Sequence, residues 1–70
     1  MIRSSDITYE PINGNDLVCR VKIKGELIGY VFFQKKEGEW IFQRLEDGKY
    51  TKGLTRTIAV GKSLLNNLDN

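Results

Sequence analysis

Histidine is absent from the 70-residue chain, and cysteine and proline occur once each. Without histidine, the chain has no histidine general base, no Ser-His or Cys-His nucleophile pair and no histidine-containing zinc site. Cys19 is the single cysteine, so it cannot form an internal disulfide or a thiolate metal cluster, which favours a reducing, cytoplasmic location. We therefore expect a protein that is not an enzyme and that uses neither a metal nor a cofactor.

Long apolar runs are lacking too. No segment approaches the roughly 18 apolar residues that a membrane-spanning helix needs, and no apolar run follows Arg3 as in a signal peptide. We expect no membrane partner. Apolar residues make up 40% of the chain and charged residues 29%, which is typical of an ordinary globular protein. The length allows one domain, residues 1–70.

The net charge of +2 is small, but it is unevenly distributed. The first residues are mildly acidic, and residues 48–70 carry four basic side chains against Asp69 alone. Such a gradient is compatible with a polyanionic partner without requiring one.

Alternating apolar and polar residues predict an antiparallel sheet. The alternation is clearest from Leu17 to Lys24, where apolar and basic side chains take turns. Asp47-Gly48 is a strong hairpin signal. Pro11 lacks a backbone donor, so the segment around it is at most a peripheral edge strand. The strands are expected at residues 17–24, 27–34, 40–45 and 49–52, with a possible edge strand at 7–12.

From Thr55 the apolar period lengthens to that of a helix, with Thr55 or Thr57 as the N-cap. The predicted fold class is α+β, an antiparallel meander of three to four strands with one C-terminal helix packed on one sheet face. Residues 1–16 are expected to be peripheral, 17–53 to form the sheet and 55–69 the helix. The predicted apolar stripe contains Ile58, Gly61, Leu64, Leu65 and Leu68, opposite a side that carries Ala59, Ser63, Asn66 and Asn67.

The single helix can cover only one face, so the register decides which side chains stay uncovered. A Gly25-Glu26 turn would pair Ile23 with Ile28, Val21 with Tyr30 and Cys19 with Phe32. An even loop after the next strand would put Trp40, Phe42 and Arg44 on the uncovered face, and an odd loop would put Trp40 and Phe42 under the helix. With the even loop, Trp40, Phe42 and Arg44 would share the uncovered face with Arg20, Lys22, Lys24, Leu27, Val31 and Phe33.

Residues 28–69 resemble AP2-like DNA-binding domains and the N-terminal arm-binding domain of phage tyrosine integrases, which have three antiparallel strands followed by one helix. The resemblance depends on Gly29-Tyr-Val, on Gly38-Glu-Trp-Ile-Phe-Gln-Arg44, on Asp47-Gly-Lys-Tyr50 and on the start of the helix at Thr55. It implies a sheet that enters the DNA major groove, with Trp40 and Arg44 on the DNA side, and a phage or prophage protein.

We therefore expect a small non-enzymatic module that binds double-stranded DNA through its open sheet face, with a regulatory or recombination-associated role. The alternative is a protein–protein interaction module or host-regulatory adaptor that self-associates, as a homodimer, or binds another protein through the same face. The expected nucleic-acid-binding residues are Arg20, Lys22, Lys24, Lys35, Trp40, Arg44, Lys49, Lys52 and Arg56.

Overall fold

The structure, a computed structural model, describes residues 3–64 as a single antiparallel sheet with one helix. A short 3₁₀ turn at Ser4–Asp6 precedes the sheet. The elements are β1 (Ile7–Ile12), β2 (Asn15–Ile23), β3 (Glu26–Gln34), β4 (Glu39–Arg44), β5 (Tyr50–Gly53) and α1 (Arg56–Leu64). No helix among these residues is long and apolar enough to span a membrane.

The predicted α+β class is confirmed, but the sheet has five strands rather than three to four, in the order β1-β2-β3-β4-β5. The additional strand is β1, which pairs with β2 from Ile7 opposite Ile23 to Pro11 opposite Cys19. Pro11 is tolerated because β1 is an edge strand. The helix begins at Arg56, and residues 65–69 of its expected range lie outside the described residues.

Two-residue turns with positive φ at both positions join the first three strands. Asn13 and Gly14 have φ of 54° and 73°, and Lys24 and Gly25 have φ of 51° and 84°. These values are typical of type I′ turns, whose twist matches that of the flanking strands. The predicted Gly25-Glu26 turn is therefore wrong by one residue, since glycine occupies the second turn position.

An extra residue in β3 shifts the register next to this turn. Lys22 lies opposite Leu27, but Val21 lies opposite Gly29, so Ile28 forms a β-bulge. Beyond the bulge Cys19 lies opposite Val31. The predicted pairs of Cys19 with Phe32 and of Val21 with Tyr30 are wrong, because one residue of displacement moves each later side chain of β3 to the other face.

The loop between β3 and β4 has an even number of residues, which is one of the two expected alternatives. Gln34 pairs with Glu39 and Phe33 with Trp40, which leaves residues 35–38 as the loop. Since Val31 now shares a face with Cys19, the side chains of Phe33, Trp40, Phe42 and Arg44 lie on the helix side. Their expected place on the uncovered face is wrong.

The core lies between the sheet and α1. Helix residues Ala59 and Val60 are fully buried, while Ile58 is 45% exposed, so the predicted stripe is wrong for Ile58 and Ala59. The helix approaches the sheet closely at Gly53, where an added Cβ would lie 2.6 Å from the Ala59 nitrogen. The sheet contributes Cys19, Val21, Val31 and Phe42, and partly buried Leu64 packs on the cluster as predicted.

Candidate binding surface

The sheet face that α1 does not cover, hereafter the open face, carries Leu27, Tyr30, Phe32 and Gln34 of β3 and the residues opposite them. Its composition follows from the register of the four strand pairs. Two neighbouring rows cross the sheet. The first row is Val18, Phe32, Ile41 and Lys52, and the second row is Glu10, Arg20, Tyr30, Gln43 and Tyr50.

Aromatic rings occupy the middle of the open face. Tyr30 and Phe32 are two residues apart on β3, the central strand, and both are half-buried. Tyr50 on β5 is 59% exposed. Ile41, only 8% exposed, is not part of the core cluster under α1. The centre of the face is therefore apolar, with accessible rings.

Cationic side chains flank these rings. Arg20 on β2 lies opposite Tyr30, and exposed Lys52 on β5 lies opposite Ile41. Lys22 is ion-paired with Glu10, with 3.1 Å between Nζ and Oε2. Exposed ion pairs of this kind contribute only about 0–1 kcal/mol, so Lys22 can exchange Glu10 for another anion at little cost.

The nine expected nucleic-acid-binding residues fall into three groups. The open face carries Arg20, Lys22 and Lys52. Turns and loops at the ends of the strands carry Lys24, Lys35 and Lys49. The helix side carries Trp40, Arg44 and Arg56.

Trp40 belongs to the packed side of the sheet. It is half-buried against the core cluster. Its ring also contacts Phe33, with 5.5 Å between the ring centroids and an interplanar angle of 56°. Its position opposite Gly53 is close to the start of α1, so the indole does not belong to the open face.

Arg44 is occupied by partners within the chain. Its Nε and Nη2 donate to the carboxylate of Asp47, and its Nη1 donates to the Ser63 carbonyl oxygen at 3.3 Å. The hydrogen bond from Arg44, together with that from the Lys49 backbone N–H, lowers the pKa of Asp47 to about 2. The same bond to Asp47 raises the pKa of Arg44. Arg44 thus ties the β4–β5 turn to α1.

Arg56 lies over the ring of Tyr9, with its guanidinium carbon 4.3 Å from the ring centroid. Its Nη1 also donates to Sγ of Cys19 at 3.5 Å. Cys19 is fully buried. These contacts join the start of α1 to β1 and β2.

The aromatic residues of the open face were not identified from the sequence. The pairs expected from the sequence, Tyr30 with Val21 and Phe32 with Cys19, put both rings on the same face as the core residues of β2. Because both faces of β3 are apolar, alternation alone does not tell Tyr30 and Phe32 from Val31. The one available signal is the dipeptide Lys24-Gly25, because type I′ turns favour glycine at the second of their two central positions.

An open groove lies at one end of the sheet, between the β2–β3 turn, the β4–β5 turn and the last described turn of α1. Glu26, Glu46, Lys49 and Lys62 line it, but it borders the end of the described chain at Leu64. In the described part of the chain, no three histidine, cysteine or acidic residues are placed to hold a metal ion. We therefore take the open face as the candidate site.

No protein-family model matches the chain, and no curated protein and no solved structure matches it. The resemblance of residues 28–69 to AP2-like domains stays a prediction, as does a regulatory or recombination-associated role. Any assignment of function depends on the chemistry of the surface itself.

Proposed function

We propose that the chain is a small binding module without catalytic activity and that it binds nucleic acid through its open face. The observation that supports this proposal is the combination, on one sheet face, of three accessible aromatic rings with three cationic side chains. Aromatic rings stack on bases, and lysine and arginine neutralise phosphates. The rings are Tyr30, Phe32 and Tyr50, and the cations are Arg20, Lys22 and Lys52.

The residues proposed to bind nucleic acid differ from those expected from the sequence. Trp40 and Arg44 are left out because both lie on the helix side, and Arg56 is left out because it stacks on Tyr9. The lysines at the ends of the strands remain within reach of a phosphate backbone that extends past the face. They are Lys24, Lys35 and Lys49.

Salt dependence tests the proposal. Binding of mixed-sequence DNA and RNA, each single-stranded and duplex, is measured by fluorescence anisotropy between about 50 mM and about 200 mM salt. Three phosphate contacts predict a log–log slope of about −2 to −3. The absence of binding to every probe at the lowest salt would refute nucleic acid as the ligand.

Charge reversal locates the site. The double substitution Arg20→Glu and Lys52→Glu is expected to weaken binding at least about tenfold, ~1.4 kcal/mol, because both cations flank the rings. Lys62→Glu is the control, since Lys62 is an exposed lysine on α1 and lies off the open face. The double variant lowers the net charge by four units and Lys62→Glu lowers it by two. A loss of binding free energy in Lys62→Glu that is half as large as in the double variant would show that net charge, and not this face, determines binding.

A protein partner is the second candidate, and one observation favours it. Val18, Phe32 and Ile41 form an apolar row across three strands, and apolar centres with polar rims are typical of protein interfaces. A second copy of the chain is the simplest such partner. Sedimentation over a wide concentration range tests it: a dimer that Phe32→Lys abolishes, in a protein that binds no nucleic acid, would favour this candidate.

A further inference from the structure

We infer that the nucleic acid on the open face is single-stranded, with neighbouring bases stacked on Tyr30 and Phe32. This inference rests on the proposed function and specifies its ligand. Three features carry it: the spacing of the two rings, the width of the sheet around them, and the distribution of the cations.

The spacing of the rings suits bases that are not stacked on one another. Tyr30 and Phe32 project from the same side of β3, two residues apart, which corresponds to about 6.8 Å along the strand. Bases in a duplex repeat every ~3.4 Å along each strand. Two consecutive bases can therefore each cover one ring only if they have separated, as they can in a single strand.

The width of the sheet excludes the alternative of a duplex groove. β3 is the central strand, with β1 and β2 on one side and β4 and β5 on the other. The axes of the outer strands are about 19 Å apart at ~4.8 Å per strand. The major groove is only ~12 Å wide, so the rings on β3 cannot reach base edges inside it. A single strand laid across the face meets no such limit.

Two cations and one amide lie beside the two rings, where they can contact a single strand. Arg20 borders Tyr30 on one side, and Lys52 lies beyond Ile41 on the other side of Phe32. Phosphates on either side of the two stacked bases would meet one of these charges. Gln43, between Tyr30 and Tyr50 in the second row, supplies an amide that can hydrogen-bond to base edges.

The first experiment compares a mixed-sequence single strand, as DNA and as RNA, with a duplex of the same sequence and at the same salt. We expect the single strand to bind more tightly. A duplex that binds as tightly or more tightly would overturn the inference and leave nucleic-acid binding intact. No binding to any of these probes would instead refute the proposed function itself.

The second experiment removes the rings while keeping apolar volume. Tyr30→Leu and Phe32→Leu are each expected to weaken single-strand binding at least about fivefold, the lower end of what a base–aromatic stack contributes. Phe33→Leu is the matched control, because Phe33 is the next residue of β3 and packs against Trp40 on the helix side. Unchanged binding in both open-face variants would overturn stacking.

Two further measurements test the position of the single strand if a leucine variant does not fold. Tyr50→Ala removes a ring that is 59% exposed, and it should weaken binding without loss of folded protein. Trp40 is the single tryptophan and lies on the helix side, so its emission should not be quenched by the bound strand. Strong quenching would place the ligand on the helix side and overturn the inference.

Discussion

Asp47 lies in the β4–β5 turn, where two donors point at its carboxylate. Arg44 supplies its guanidinium, and the Lys49 N–H donates at 3.0 Å. These contacts hold the pKa of Asp47 at about 2, below its ordinary value of 3.8. The charged carboxylate therefore stabilises the turn and, through Arg44, its connection to Ser63 at the end of α1.

Acid should remove this stabilisation. Because the pKa of Asp47 is lower in the folded protein than in the unfolded chain, its contribution is fully present above about pH 4 and is lost as pH falls through about 2. In urea unfolding, Asp47→Asn should lower the free energy of unfolding at neutral pH, and the difference from the parent should shrink towards pH 2. Glu46→Gln, one residue earlier and exposed, is the control. A constant difference across this range would contradict the assignment.

At the scale of elements, α1 is positioned by the residues at its start and by one small residue below it. The Thr55 hydroxyl accepts a hydrogen bond from the Ile58 N–H at 3.2 Å, and Thr51 Oγ1 donates to the Ala59 carbonyl oxygen at 2.6 Å. Gly53 allows the first turn of α1 to approach β5. Specific polar contacts and the buried side chains of Ala59 and Val60 thus both hold the helix on the sheet.

Loss of the N-cap should destabilise α1. Thr55→Ala removes the acceptor for the Ile58 N–H and should lower the free energy of unfolding by about 0.5–2 kcal/mol. Thr57→Ala, at an exposed threonine two residues later, is the matched control and should have little effect. Thermal unfolding of both variants measures the difference. Equal losses in the two variants would show that the hydroxyl of Thr55 is not the cap.

A side chain at Gly53 should separate α1 from the sheet. In Gly53→Ala the new Cβ would lie 2.6 Å from the Ala59 nitrogen and 2.7 Å from Cγ2 of Ile58, and backbone atoms cannot yield as a side chain can. We expect a loss of about 1–3 kcal/mol, measured by thermal or urea unfolding. Leu54→Ala, at the adjacent residue that is 75% exposed, should change stability little. An unchanged stability of Gly53→Ala would contradict the close approach.

At the scale of the whole molecule, stability should decrease from the central strands to the first edge. β3 pairs on both sides and packs against α1, whereas β1 pairs with β2 alone. Amide hydrogen exchange should therefore be slowest in β3 and β4, where opening requires global unfolding, and faster in β1, which can detach locally. Exchange in β1 as slow as that in β3 would mean that the sheet opens as one unit.

Much of the fold was predictable because local chemistry determines it. The strand around Val21 follows from alternation, and Thr55 is one of two candidate caps because its hydroxyl precedes an apolar run. The faces were not predictable, because Ile28 and Gly29 give no sign of a bulge and β3 is apolar on both sides. The sequence therefore predicts an open sheet face with aromatic and basic residues. It does not predict which aromatic residues lie there: Tyr30, Phe32 and Tyr50 take the place of Trp40 and Phe42.

The extra residue Ile28 aligns β1 and β2 with β3, β4 and β5, so that the apolar side chains of both parts face the helix. A hairpin that ran straight from Lys24-Gly25 would turn β1 and β2 over relative to the rest of the sheet. Arg20 and Lys22 would then be confined beneath the helix beside Phe42, while Cys19 and Val21 would face water. One inserted amino acid is thus the reason that positive charge and the rings of β3 meet on the same outer surface.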